Sequence, residues 1–259
     1  GTVINYHLKG VTDSAKLSIT VMDKKGKPIK TFSSFTKVAE DQIEITEGVN
    51  QFVWDQNYPP AERADGMILW TGGIGAAKAA PGKYTAKIKY GNDSTEIAFV
   101  IKPNPVYQAT EADYDAQVSF LLSVRDKFNE VQKAIKNIRT IRTQITDLNS
   151  RVDAKSNKDL KQFADSVSKQ LTAIEEALYQ TKAKSGQDVL NFPIRLNDKI
   201  SGLYGVAASG QNAPSKQVRE AFADLSGQAN AQLVKLQKII DTDLKQLNKI
   251  KKFIKKNEY

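Results

Sequence analysis

The chain has 259 residues, of which 40% are apolar and 26% are charged, a composition that favours one or two folded domains over global disorder. It has no cysteine and one histidine, which excludes disulfide frameworks, thiol nucleophiles and histidine-rich metal sites. No apolar run approaches the roughly 18–20 residues that cross a bilayer, and the first residues lack the basic and apolar regions of a signal peptide. We therefore expect no cofactor, no metal, no membrane span and no leader in this sequence.

The net charge of +9 is concentrated in the second half of the sequence, since residues 1–103 carry +2 and residues 104–259 carry +7. Such an excess can attract nucleic acid or an anionic surface. It is also typical of the solvated faces of lysine-rich helices, and we favour this interpretation because acidic residues are interleaved. Only the tail at 249–256 is locally basic.

The first hundred residues have the two-residue period of β-strands. Leu17, Ile19 and Val21 alternate with polar residues, and the same pattern recurs at 84–90 and 97–101. Residues 23–27 and 91–93 have the composition of hairpin loops. Short strands at this spacing predict an antiparallel β-sandwich over residues 1–103.

The longest irregular stretch of this sandwich is residues 55–81, a length that is usually functional in a compact domain. Trp54, which ends a strand pattern just before it, is expected in the core. Tyr58 and Trp70 are our candidate partner contacts within the stretch. The alternative, which we favour, is that Trp70 folds back over its own sandwich.

Two prolines at 103 and 105 end the strand pattern, and we assign residues 104–109 to a linker. From Thr110 the period becomes helical, beginning with a capping-box pattern between Thr110 and Asp113. Apolar residues at helical spacing form one stripe from Leu121 to Leu148 in the first helix and another from Val218 to Leu247 in the fourth. Further helices are expected from about Ser156, from about Phe192 to before Gly210, and from about Pro214. Four amphipathic helices with short connections predict an antiparallel four-helix bundle over residues 110–259.

The sequence has few residues that could act in catalysis or bind a metal. His7 lies alone in the first strand, and Glu175 and Glu176 are neighbours on a helix and so do not face each other. We assign no catalytic residue. The most distinctive polar segment is 191–199, where Arg195 is a third candidate partner contact. Its asparagines and arginine can equally cap the third helix, and we favour capping.

A family resemblance runs along the whole chain. The segments that carry it are 1–9, 50–55, 80–85, 102–105, 109–113, 125–127, 191–197 and 224–226. In these segments the chain resembles the C-terminal region of large bacterial proteins with a sortilin-like, BNR-repeat β-propeller, which are common in Bacteroidetes and are often labelled glycosyl hydrolases. Its first domain is also similar to the immunoglobulin-like domain of flagellar hook-capping proteins, although Gln56-Asn57 replaces a glycine and an arginine there.

The resemblance implies an immunoglobulin-like β-sandwich followed by a helical bundle, in a secreted, periplasmic or cell-surface protein. It also implies that the partner is the protein's own N-terminal β-propeller, missing from this chain, or a glycan or surface protein. Our leading hypothesis is a non-catalytic accessory module. The alternatives are part of a glycan-processing hydrolase whose active site lies in the propeller and, least supported, a nucleic-acid-binding bundle.

Overall fold

A computed structural model describes residues 1–12, 14–70, 73–152 and 157–249. The chain divides into two compact units. Unit 1 contains Gly1–Pro60, Gly75–Leu122 and Gly210–Ala213, and unit 2 contains Ala61–Ile74, Ser123–Ser209 and the chain from Pro214 onward. The units thus combine segments from both sides of the predicted linker at 104–109, since part of the 55–81 stretch groups with the helices and the start of the first helix groups with the strands.

Unit 1 contains two antiparallel sheets. One pairs β1 with β4, and the other has the strand order β3-β2-β5-β6. The predicted strands at 17–21, 84–90 and 97–101 are confirmed as parts of β2, β5 and β6. The strands are β1 (Thr2–Leu8), β2 (Leu17–Met22), β3 (Pro28–Ser33), β4 (Gly48–Trp54), β5 (Gly82–Tyr90) and β6 (Asp93–Ile101).

The two sheets contribute to one apolar core, because the alternating residues of each strand place every second side chain inward. On β2, Ile19 lies opposite Phe32 of β3 and Ile88 of β5. Trp54 at the end of β4 is fully buried, as predicted, and its Nε1–H donates to the Asn57 carbonyl at 3.3 Å. The two-residue period of the sequence therefore determines which side chains form the core of unit 1.

The predicted hairpin loops are also confirmed. Gly26, between β2 and β3, has φ of 74°, and Gly91, between β5 and β6, has φ of 58°. Both angles lie in the left-handed region, which glycine adopts without the steric cost of a Cβ. Asp23 closes the first loop, because its Oδ1 accepts from the N–H groups of Lys25 and Lys27 at 2.8 and 2.9 Å.

The described residues contain four α-helices of 13 residues or more and two short 3-10 turns, so the chain mixes antiparallel sheets with helices. The third helix begins a few residues after the predicted start at Phe192. A further helical stretch covers residues 243–249. The elements are α1 (Glu111–Arg151), α2 (Lys158–Leu178), α3 (Leu196–Ala208) and α4 (Lys216–Asp241), with 3-10 turns at Ala39–Asp41 and Gly186–Leu190.

The start of α1 has the predicted capping box. The Asp113 N–H donates to Thr110 Oγ1 at 3.2 Å, and the Thr110 N–H donates to Asp113 Oδ2 at 3.0 Å. Hydrogen bonds from the Thr110 side chain and main chain hold the pKa of Asp113 below its usual value. At α4, Ser215 is the N-cap, and its side chain accepts from the Val218 N–H at 3.3 Å.

The apolar stripe predicted for α1 is buried along its full length, from Leu121 to Leu148. The apolar stripe predicted for α4 is not buried along its full length. Ala229 and Leu236 are buried there, but Phe222 and Leu225 are only half-buried. The 3.6-residue period of α4 therefore predicts correctly which face of the helix packs. The side chains on that face are less buried than the period predicts.

Two predicted features lie outside the described residues. These are Ser156, at the expected start of the second helix, and residues 250–256 of the basic tail. Within the described part of the chain, no helix is long and apolar enough to cross a membrane.

Candidate functional site

Residues 61–74, which we call the docked loop, are held by side chains of the helices in unit 2. On α1, Asn129 Oδ1 accepts from the Glu62 N–H at 2.7 Å, and Gln132 Oε1 accepts from the Ala64 N–H at 3.2 Å. Gln132 is fully buried. These bonds give main-chain donors of an irregular segment the partners that secondary structure would otherwise supply.

The same arrangement continues further along the docked loop. Arg139 of α1 donates from Nη1 to the Asp65 carbonyl at 2.8 Å. The Tyr179 hydroxyl, directly after α2, accepts from the Ile68 N–H at 3.1 Å. Side chains of α1 and of the residue that follows α2 therefore bind main-chain groups between Glu62 and Ile68 of the docked loop.

Side chains of α3 also bind the docked loop. Asp198 is 3% exposed in the first turn of α3, and its Oδ2 accepts from the Trp70 N–H at 2.7 Å. Its neighbour Asn197, fully buried, directs Nδ2 at Met67 Sδ, 3.3 Å away. A hydrogen bond between a main-chain donor and a carboxylate is among the stronger neutral-to-charged contacts in proteins.

The expectation that we favoured grouped Trp70 with its own sandwich, whereas the structure groups it with the helices of unit 2, where its N–H is bonded to Asp198. Trp70 remains 54% exposed although its main chain is fixed. It lines a shallow cleft of about 340 Å³ together with Val189, Leu190, Pro193, Ile194 and Lys199.

Arg195 is exposed and follows Ile194, one of the residues that line this cleft. It occupies the N-cap position of α3, but its side chain makes no capping hydrogen bond. The capping interpretation of this segment is therefore wrong for Arg195. Of the polar residues here, Asn197 and Asp198 bind the docked loop.

Tyr58, the remaining candidate contact, belongs to unit 1 and is only half-buried. Its N–H donates to the Ala77 carbonyl at 2.8 Å. Its ring packs against a small apolar cluster of Ala80, Tyr114 and Val118. The structure thus assigns Tyr58 and Trp70 to different units.

The segment before the cleft is fixed by Asp188. Its Oδ2 accepts from the N–H groups of Lys184 and Ser185 at 2.6 and 3.0 Å, and its Oδ1 accepts from Ser185 Oγ at 3.0 Å. The hydrogen bonds from these main-chain N–H groups, of which that from Lys184 has the larger effect, lower the pKa of Asp188 below its usual value of 3.8. The bonded carboxylate orders the chain that leads to Val189 and Leu190.

An ionic cluster lies beside the docked loop. Glu175 of α2 is 2% exposed, and its two oxygens face two arginines of α1. Oε1 lies 2.7 Å from Arg139 Nε, and Oε2 lies 2.8 Å from Arg142 Nη1. Arg142 Nη1 also donates to Thr172 Oγ1 at 3.2 Å, and the Arg139 guanidinium lies 5.5 Å from the Tyr179 ring centroid.

A cavity of about 440 Å³ opens at this cluster, and we call it the arginine cavity. Its walls come from the docked loop, α1, α2 and the chain that follows α2. The lining residues are Gly66, Ile68, Arg139, Arg142, Thr172, Glu175, Tyr179, Thr181, Ala183 and Lys184.

The burial of Glu175 and Gln132 was not predicted from the sequence, although the spacing of both residues indicates it. Glu175 follows Leu171 by four residues and precedes Leu178 by three, so it falls on the apolar stripe of α2. Gln132 has the same spacing between Phe128 and Ile135 on α1. A polar residue in the phase of a buried stripe indicates a buried hydrogen-bonded network.

Within residues 1–12, 14–70, 73–152 and 157–249, no group of three His, Cys, Asp or Glu side chains could hold a metal ion. No protein-family model, curated protein or solved structure matches the chain.

Proposed function

We propose that the chain is a non-catalytic accessory module of a larger secreted protein, and that it docks on that protein's β-propeller through the surface around Trp70. The observation that carries the proposal is Trp70 itself. Trp70 is 54% exposed, yet its main chain is bonded to the buried carboxylate of Asp198. An aromatic side chain on a fixed backbone loses little conformational freedom on binding.

The neighbourhood of Trp70 supports a protein partner. Leu190 is 71% exposed at the same cleft, and Pro193 is exposed beside it. Contiguous apolar side chains on a surface are typical of interaction sites. Aromatic residues that fill a partner's pocket dominate the binding energy of many interfaces.

The family context rests on the sequence resemblance. We infer that unit 1 is an immunoglobulin-like sandwich, supported by two antiparallel sheets that share one core, and that the helices form a bundle. Secretion, or a periplasmic or cell-surface location, is inferred from the same resemblance. The propeller is proposed as partner because the related sequences place it directly before this region.

The test measures binding of the chain to the separately produced propeller of its parent protein by calorimetry. Trp70→Ala should weaken binding by at least about tenfold, the effect of losing a central aromatic anchor. Phe35→Ala is the matched control, because Phe35 is 58% exposed and lies in unit 1. Equal affinities of the native chain and Trp70→Ala would remove the docked loop from the interface.

A second experiment addresses the hydrolase alternative. The chain is incubated with a panel of glycosides, with and without the propeller, and we expect no turnover by the chain alone. Turnover that is abolished by one acidic substitution in this chain would overturn the non-catalytic proposal.

A further inference from the structure

We propose that the arginine cavity binds a small anion through an oxyanion group, either a carboxylate or a phosphate. This inference does not depend on the proposed docking function. It concerns a different surface of unit 2, lined by Arg139, Arg142 and Lys184, and its ligand is a small molecule.

The first argument is the charge of the lining. Arg139, Arg142 and Lys184 supply three positive charges, and among the described lining residues only Glu175 supplies a negative one. The cavity therefore carries a net charge of +2 from its walls. A concave site with a net positive charge concentrates anions.

The second argument is the unused hydrogen-bonding capacity of the arginines. A guanidinium has five N–H donors. Among the described residues, Arg142 Nη1 donates to Thr172 Oγ1 and lies 2.8 Å from Glu175 Oε2 in an ion pair, while Nε and Nη2 have no protein acceptor. Each guanidinium can therefore hold Glu175 and still present N–H donors to an oxyanion, the geometry that arginine recognises best.

The third argument is the rigidity of the arginines. Glu175 fixes both guanidinium groups through contacts of 2.7 and 2.8 Å, and the Asp65 carbonyl and the Tyr179 ring hold Arg139 from two further sides. The cations are thus ordered before a ligand arrives. Pre-ordered groups bind more tightly because less conformational freedom is lost.

The size and the hydroxyl groups of the cavity define the ligand further. A volume of about 440 Å³ lies within the range of small-molecule sites, about 300–1,000 Å³. Thr172 and Thr181 line it with hydroxyls. The Tyr179 oxygen accepts from the Ile68 N–H, so its own hydrogen is available to donate. The ligand is therefore a small polar molecule with one anionic group.

The experiment is calorimetric titration of the full chain with glycerol 3-phosphate, glycerate and neutral glycerol at constant ionic strength. We expect binding of at least one anion and none of glycerol, and the anion that binds identifies the oxyanion. Lys184→Ala and Arg142→Gln should each weaken this binding by about tenfold, the loss expected for one cationic partner. Arg142→Lys should restore only part of it, because lysine lacks the planar pair of donors.

Lys169→Ala is the matched control, since Lys169 is exposed on α2 and does not line the arginine cavity. Lys184 is exposed as well, so its removal tests the site even where Arg142→Gln perturbs folding. The proposal is overturned if neither anion binds, if glycerol binds equally well, or if Lys184→Ala and Lys169→Ala have the same effect.

Discussion

The N–H of Trp70 and the carboxylate of Asp198 are joined by a 2.7 Å hydrogen bond across 128 residues of sequence. This bond combines the two properties that a binding surface needs, because it fixes the backbone and leaves the indole in solvent. It also means that Asp198, which is itself only 3% exposed, positions the exposed Trp70.

Asp198→Ala should release the end of the docked loop. Loss of a hydrogen bond to a buried charged group costs about 1.5–3 kcal/mol. We therefore expect hydrogen exchange at the Trp70 amide to accelerate by at least about tenfold. Asp159→Ala is the control, because Asp159 also lies in the first turn of a helix but is exposed. Equal exchange in the two variants would contradict the anchoring role.

Glu175→Ala should destabilise unit 2, because it leaves Arg139 and Arg142 without the carboxylate that both contact. Breaking a fully buried ion pair costs about 3–5 kcal/mol. The side chains of Arg139 and Arg142 are about one third exposed, so we expect a smaller loss of about 2–3 kcal/mol in the free energy of unfolding. Urea denaturation measures it. Glu176→Ala, which alters the neighbouring carboxylate, should have little effect.

Phe128→Ala and Leu236→Ala test the packing of the two longest helices. Phe128 is 0% exposed and Leu236 is 4% exposed, as the apolar stripes predict. Each truncation should lower the free energy of unfolding by about 2–5 kcal/mol through lost contacts and a residual cavity. Val234→Ala, 68% exposed on the same helix as Leu236, should change it by less than about 0.5 kcal/mol. A similar loss in all three variants would contradict this packing.

The lowered pKa of Asp188 predicts an acid-sensitive contribution to stability. Since the folded-state pKa lies below the usual value of 3.8, this contribution is present above pH 3.8 and is lost as the pH falls through the folded-state pKa. Asp188→Asn should therefore lower the urea midpoint at neutral pH, and its difference from the native chain should shrink with increasing acidity. A difference that is constant with pH would show that the charge is not involved.

Residues 1–103 and 106–259 should each fold when produced separately, since each half has its own apolar stripes. The helical piece then lacks the docked loop, which leaves Gln132 and Asp198 without their main-chain partners. We expect its thermal midpoint to rise when residues 61–74 are fused to it through a flexible linker. An unchanged midpoint would mean that the docked loop contributes nothing to unit 2.

Periodicity made most of the strands and helices predictable, because apolar spacing reports directly on which face is buried. The burial of Trp54 and the capping box at Thr110 followed from such local rules. The docked loop could not be placed in the same way. Its partners Gln132, Tyr179 and Asp198 are polar residues on distant helices, and local propensity carries no information on which main-chain groups they bind.

The order in which the docked loop and its partners are synthesised has a consequence for folding in the cell. Glu62 precedes Asn129 by 67 residues, and Trp70 precedes Asp198 by 128. At about 5–20 residues per second, a ribosome needs roughly ten seconds to make the second of these intervals. Until α1 has been synthesised, the nascent segment with Met67, Ile68 and Trp70 has no helix to pack against, and Trp70 lacks its partner Asp198 until α3 follows. This delay makes the segment a natural place for a chaperone to bind the growing polypeptide.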